Sequence, residues 1–156
     1  HYGSVLSEHT IHELELAGLG RFLAMTQNGE VNSLAAMHFR EVFPSVEIFQ
    51  LASDVEQGPK GEGFEPSLKG RILFGEKWSY QELSRRMTAG WVVKKTLLTE
   101  EFGMDMFLER YGRESAPLLL LGAKGEVRVF SEDHPPTPAP GWTLVSLVPG
   151  EDAEAL

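Results

Sequence analysis

The chain has 156 residues with 14 Lys or Arg against 23 Asp or Glu, a formal charge of −9, and its 42 % hydrophobic and 24 % charged content excludes coreless disorder. The acidic balance has the wrong sign for a phosphate-backbone partner or an anionic lipid surface, so no nucleic acid and no membrane insertion are expected. The chain has no Cys, which excludes a disulfide framework, a thiol nucleophile and a thiolate metal site, and its longest apolar run, Pro117 to Leu121, is far short of the ~20 residues a spanning helix needs.

The N-terminus shows no charged segment followed by an apolar one, so no signal peptide is expected and a cytoplasmic location is the default. Ser7 precedes Ile11, Leu14 and Ala17 at helical spacing, and Gly18 and Gly20 stop the pattern, which predicts a helix over 7–17. Arg21 to Thr26 is too brief an apolar run for a helix and reads as a buried strand, leaving through the turn and cap chemistry of Thr26-Gln27-Asn28-Gly29. From Glu30, the residues Val31, Leu34, Ala35, His38 and Val42 lie on one helical face, and Pro44-Ser45 ends the helix before a strand over Val46 to Leu51. Strand, helix and strand in this order predict a parallel βαβ unit with a right-handed crossover.

Residues 53–69 are rich in Gly, Pro and acidic side chains and read as a linker. Beyond it the pattern predicts a strand over Gly70–Phe74, a helix over Trp78–Ala89 with Leu83 and Met87 inward, a strand over Trp91–Leu98, and a helix over Glu101–Tyr111 capped near Thr99. Three strands follow, Pro117–Leu121, Glu126–Phe130 and Trp142–Val148. The first two are separated by a turn at 123–125, and an extended proline-rich segment, 134–140, precedes the third. The expected fold class is therefore α/β: a βαβ half-domain over 1–52, the linker over 53–69, a small α+β domain over 70–149, and an acidic tail over 150–156.

Among candidate chemical groups, His9 and His12 sit three apart beside Glu8 and Glu13, but two ligands do not complete a metal site, and a solvated helix face is the expectation. His38 reads as a satisfied core or interface histidine, and His1 and His134 have no sequence partners. No nucleophile elbow, phosphate loop or Gly-x-Gly-x-x-Gly occurs. Gly18-Leu19-Gly20 follows a helix and enters a strand, the reverse of the context a pyrophosphate needs. The acid pairs Glu100-Glu101 and Glu151-Asp152 fall on a helix start and on the tail, where carboxylates complement the macrodipole or solvate. No catalytic and no metal-binding residue is assigned. What remains is the loop Thr26, Gln27 and Asn28 with Asn32 behind it, at the carboxyl end of a strand feeding a helix, where ligands of open α/β sheets bind.

The run Leu16 to Ala36, with its helix, glycine stop, strand, Thr26-Gln27-Asn28-Gly29-Glu30-Val31-Asn32 turn and helix, resembles the second half of a TrkA-N domain, also called a KTN or RCK N-domain. The variant it resembles is the one fused to bacterial NhaP-like cation:proton antiporters. His38 to Phe43 fits as well. Gly70–Phe74, Ala89-Gly90-Trp91, Leu98–Phe102 and Pro140–Val148 resemble the tail after that domain, so the likeness spans 1–149.

The resemblance implies a Rossmann-like half-domain, truncated at its N-terminus, in a non-catalytic regulatory region of a sodium or cation/proton antiporter at the cytoplasmic face of the bacterial inner membrane. It implies the transport domain of the same polypeptide and a second copy of the chain as partners. Thr26, Gln27, Asn28 and Asn32 would lie beside the cofactor cleft, with NAD or ATP bound only when the upstream phosphate-binding half is present. Val31, Leu34 and Phe39 are the expected dimer contacts, because a two-stranded half-sheet leaves edges and apolar faces to cover. The rival readings are the distal part of a nicotinamide-dependent dehydrogenase, for which Tyr80, Tyr111 and His38 read as helix or core positions, and a metal-dependent sensor using His9 and His12.

Overall fold

A computed structural model describes residues 20–43, 46–53 and 70–150, so the helix expected over 7–17, its two histidines and the acidic tail beyond Gly150 lie outside the described residues. The protein is mixed α/β, with one three-stranded parallel sheet and one four-stranded antiparallel sheet.

The parallel sheet has the order β1 (Arg21–Ala24), β2 (Glu47–Gln50), β3 (Arg71–Ile72), and helix α1 (Gly29–Val42) connects the first two strands. Period-two alternation in β2 separates its two faces. Ile48 packs with Ala36 and Phe39 of α1, and Phe22 stacks on Phe39 with ring centroids 3.9 Å apart. Phe49 and Leu51 face the other way, into a cluster with Leu73, Val129 and the partly buried Leu119 and Leu83. The sheet is thus covered on one face by α1 and on the other by the second half of the molecule. Phe39, expected as a dimer contact, is only 4 % exposed because it fills the gap between α1 and the strands. The strand expected over Gly70–Phe74 is shorter and joins the parallel sheet, giving it a third strand where two were expected.

After β3 come helix α2 (Tyr80–Thr88), strand β4 (Val92–Leu97), helix α3 (Met104–Tyr111), and strands β5 (Ala116–Leu121), β6 (Val127–Val129) and β7 (Thr143–Val148). The strand order is β4-β7-β5-β6, all neighbours antiparallel. β7 lies in the middle and is buried along Leu144–Val148. Leu144 and Val148 meet Phe107 of α3, with Leu98, Leu120 and Phe130, while Leu147 meets Trp78 and Ala116 on the opposite face.

Two helix starts and one helix face differ from expectation for local reasons. Ser79 caps α2 by accepting from Glu82 N, so the helix begins after Trp78, which is buried. Met87, expected inward, is 57 % exposed, because α2 rests on the core through Leu83 and the Trp78 cluster instead. Thr99 Oγ1 accepts from Phe102 N in a turn before α3, so that helix starts at Met104 rather than Glu101. The proline-rich 134–140 forms neither helix nor strand, and Trp142 N donates to Ala139 O in a turn at its end.

The two sheets join at a corner. Phe74 N donates to Phe130 O (2.9 Å), Glu132 N donates to Ile72 O (2.9 Å), and Leu73 bridges Ser131, so the chain after β6 pairs with the outer edge of β3. Phe74 packs against three of the apolar clusters and holds φ +62°, a left-handed conformation that costs a non-glycine residue on the order of 1 kcal/mol.

Candidate functional site

The carboxyl end of β1 leads through Met25–Asn28 into α1, and the sequence forces a fixed turn there. Asn32 lies one turn into the helix and is 1 % exposed. Its Oδ1 accepts from Thr26 N (2.9 Å) and Thr26 Oγ1 (2.7 Å), and its Nδ2 donates to Thr26 O (2.9 Å). One side chain therefore holds the backbone donor, the backbone acceptor and the hydroxyl of Thr26. Asn28 N donates in turn to Thr26 Oγ1 (3.3 Å).

Asn28 is the N-cap of α1, its Oδ1 accepting from Glu30 N (3.0 Å) and Val31 N (3.1 Å). Gly29 packs against the end of β2 so closely that a Cβ there would meet Ser53 Oγ at 2.7 Å. Its small size lets the two parallel strand ends share one rim.

Beneath this rim lies a buried polar link across the sheet. Gln50, 4 % exposed, donates from Nε2 to Ser33 Oγ of α1 (3.2 Å) and accepts at Oε1 from Gly70 N (3.0 Å), while its carbonyl accepts from Leu73 N (2.8 Å). It donates to the helix and accepts from the approach to β3 at once, as a buried amide must.

The chemistry follows from which groups are already used. Asn28 consumes two of the helix N-terminal donors, which an anion would otherwise take. Thr26 and Asn32 are bonded to each other. The side chain of Gln27 is exposed, with no hydrogen bond among the described residues, so it is the group of the four that faces outward. The rim is neutral and preset: it presents an amide and backbone edges, and phosphate binding at this helix start would require displacing the Asn28 cap. The structure brings Thr26, Asn28 and Asn32 into one network and leaves Gln27 outside it.

Sequence reasoning missed Ser53, Gln50 and Ser33. Gln50 carried a signal, a lone polar residue on the helix-facing side of a buried strand. The contact between Gly29 and Ser53 is set by tertiary packing and has no local signature. His38 also departs from expectation, for its buried Nε2 has no hydrogen-bond partner among the described residues, the ring lying edge-on to Phe39 at 6.4 Å.

A second charged constellation lies at α2. Glu82 accepts from Arg85 (2.7 and 2.8 Å) and from Arg86 Nε (2.6 Å), and these two arginines, Arg85 first, hold its carboxyl down from 4.5 to about 2. The same contact with Glu82 raises Arg85. Arg86 also lies 4.4 Å over the Trp91 ring and 5.8 Å from Trp78, and pairs with Glu114 at 3.3 Å. Its role is to pin α2 to the start of β4 and the end of α3. Among the described residues no group of three or more His, Asp or Glu side chains is arranged to hold a metal, and no helix is long and apolar enough to cross a membrane.

Together, fold and rim define an open parallel α/β sheet with a preset polar turn at its carboxyl edge, joined at a corner to an antiparallel α+β unit. No protein-family model matches the sequence, and no curated protein matches it significantly. Among solved structures, the chain is similar to one described as "Crystal Structure of the GsuK RCK domain", at 12 % identity and a TM-score of 0.36, over 98 % of this chain and 35 % of that one. It is similar also to "GsuK channel bound to NAD", at 12 % identity and a TM-score of 0.37, over 99 % of this chain and 29 % of that one. The chain thus spans about a third of the length of these solved chains.

Proposed function

We propose that this chain is a non-catalytic regulatory region of a sodium or other cation/proton antiporter, acting at the cytoplasmic face of the membrane on a transport domain of the same polypeptide, with a second copy as partner. The observation that carries this reading is the Thr26–Asn32 clamp: the Thr-x-Asn-x-x-x-Asn turn, on which the resemblance to TrkA-N domains rests, is built as a rigid polar rim at the ligand-binding edge of a parallel sheet. Thr26, Gln27, Asn28 and Asn32 form the cofactor rim, and NAD or ATP would engage it only together with a separate phosphate-binding half.

Regulation follows if a ligand or partner at the rim favours one arrangement of the two units over another. The corner at Phe74 is suited to pass on such a bias, because it belongs to both units and already holds a strained backbone. The test is to delete residues 1–156 from the full-length transporter and measure sodium/proton exchange in inside-out vesicles. Exchange should persist with altered dependence on pH or cation. Loss of nothing, or a full-length polypeptide without transport helices, overturns the proposal.

A further inference from the structure

The joined sheets leave two outer edges among the described residues, β1 and β4. β4 is the longer, and its residues Val92, Val93 and Leu97 are 49 %, 55 % and 59 % exposed, in a position where a strand flanked on both sides would be buried. Its hydrogen-bonding direction is fixed by Leu98, whose N–H donates to Trp142 O and whose carbonyl accepts from Gly141 N, both at 2.8 Å. Alternation then turns the backbone groups of Val92, Lys94 and Thr96 toward β7 and those of Val93, Lys95 and Leu97 outward. Among the described residues no hydrogen bond engages these outward groups.

We propose that the β4 edge is a self-association site whose occupant is β4 of a second copy, paired antiparallel about a two-fold axis normal to the sheet. The strand is self-complementary in this arrangement. With the axis through Lys95, Val93 of each copy lies opposite Leu97 of the other on the face that carries α2, and the outward N–H and C=O groups of 93, 95 and 97 all find partners. The two most exposed apolar residues of the strand are thereby covered twice by one symmetry operation.

Lys95 sets the strength. It lies opposite its own copy, a like-charge pair that opposes association, and it has no carboxylate partner among the described residues. Lys94 projects to the other face, 5.0 Å over the Tyr111 ring, and stays out of the contact. One strand pair buries less than standard interfaces of about 1,600 Å², so the association is weak.

The test is sedimentation equilibrium and hydrogen exchange on the full 156-residue chain between about 10 and 500 µM. The average mass should rise above 17.3 kDa toward twice that value, with the amides of Val93, Lys95 and Leu97 gaining protection at high concentration while those of Lys94 and Thr96 are protected throughout. Lys95→Thr should tighten association about two- to fivefold. Lys95→Pro, which removes an outward donor at an edge-strand position that tolerates proline, and Leu97→Asp, at an exposed position, should each leave a folded monomer by circular dichroism. A monomer at 500 µM overturns the proposal, as does an association that neither Lys95→Pro nor Leu97→Asp weakens.

Discussion

Asn32→Ala should cost far more than its place near an exposed turn suggests. Three hydrogen bonds of 2.7–2.9 Å are lost at once, all to Thr26, from a side chain that is 1 % exposed. At ~1 kcal/mol net each they total about 3 kcal/mol, and since Thr26 is exposed enough to recover water at its freed groups, about 2–3 kcal/mol is the expected loss. Asn28→Ala removes only the cap of α1 and should cost ~1 kcal/mol. For a domain of this length Asn32→Ala then lowers Tm by about 4–10 °C. Urea unfolding followed by circular dichroism measures both, with a shifted midpoint at constant slope. The shared Thr26 hydroxyl adds a second criterion: Thr26→Val and Asn32→Ala should be non-additive by at least about 0.5 kcal/mol. Asn32→Ala costing no more than Asn28→Ala, or strict additivity with Thr26→Val, would refute the clamp.

Three further outcomes follow from named contacts. Because Glu82 titrates near 2 in the fold against 4.5 ordinarily, its pairing stabilises the protein fully above about pH 5 and is lost as pH falls through 4.5 toward 2. Unscreened, that displacement converts to about 3 kcal/mol, which solvent screening reduces to ~1 kcal/mol. Glu82→Gln should flatten the acid limb of a Tm-against-pH curve by that amount, and an unchanged limb contradicts it. Phe74→Ala should destabilise by about 2–4 kcal/mol through lost packing in three clusters, yet Phe74→Gly should be the more stable of the two by ~1 kcal/mol, since glycine accepts φ +62° without strain. Equal or reversed stabilities in thermal melts would show that the strain is absent. Calorimetry on this chain with NAD, NADH or ATP should give binding no tighter than millimolar, because the Asn28 side chain already occupies the helix donors; a micromolar one-to-one isotherm would refute this.

Local chemistry made much of the fold legible. Asn28 before Gly29, the apolar spacing of α1 and the valine- and leucine-rich runs of β5 and β7 each point to one structure, and that structure forms. What stayed hidden depends on partners distant in sequence. The strand after Gly70 was expected outside the parallel sheet, but Gln50 recruits it, accepting from Gly70 N and from Leu73 N. Met87 fits the helical period as an inward residue, and Arg86 over Trp91 instead fixes which face of α2 is held down. At the candidate site, Thr26, Asn28 and Asn32 could be named from their turn and cap chemistry, whereas the contact of Gly29 with Ser53 arises only when β2 arrives beside β1.

The proposed regulation of an antiporter through the polar rim is tested most directly by cation/proton exchange in inside-out vesicles carrying a full-length polypeptide that contains this chain, comparing wild type with Thr26→Val as a change confined to the rim. The expected result is unchanged maximal exchange with a shifted pH or cation midpoint. Superimposable activation curves, with the variant folded and present at equal levels, would contradict it.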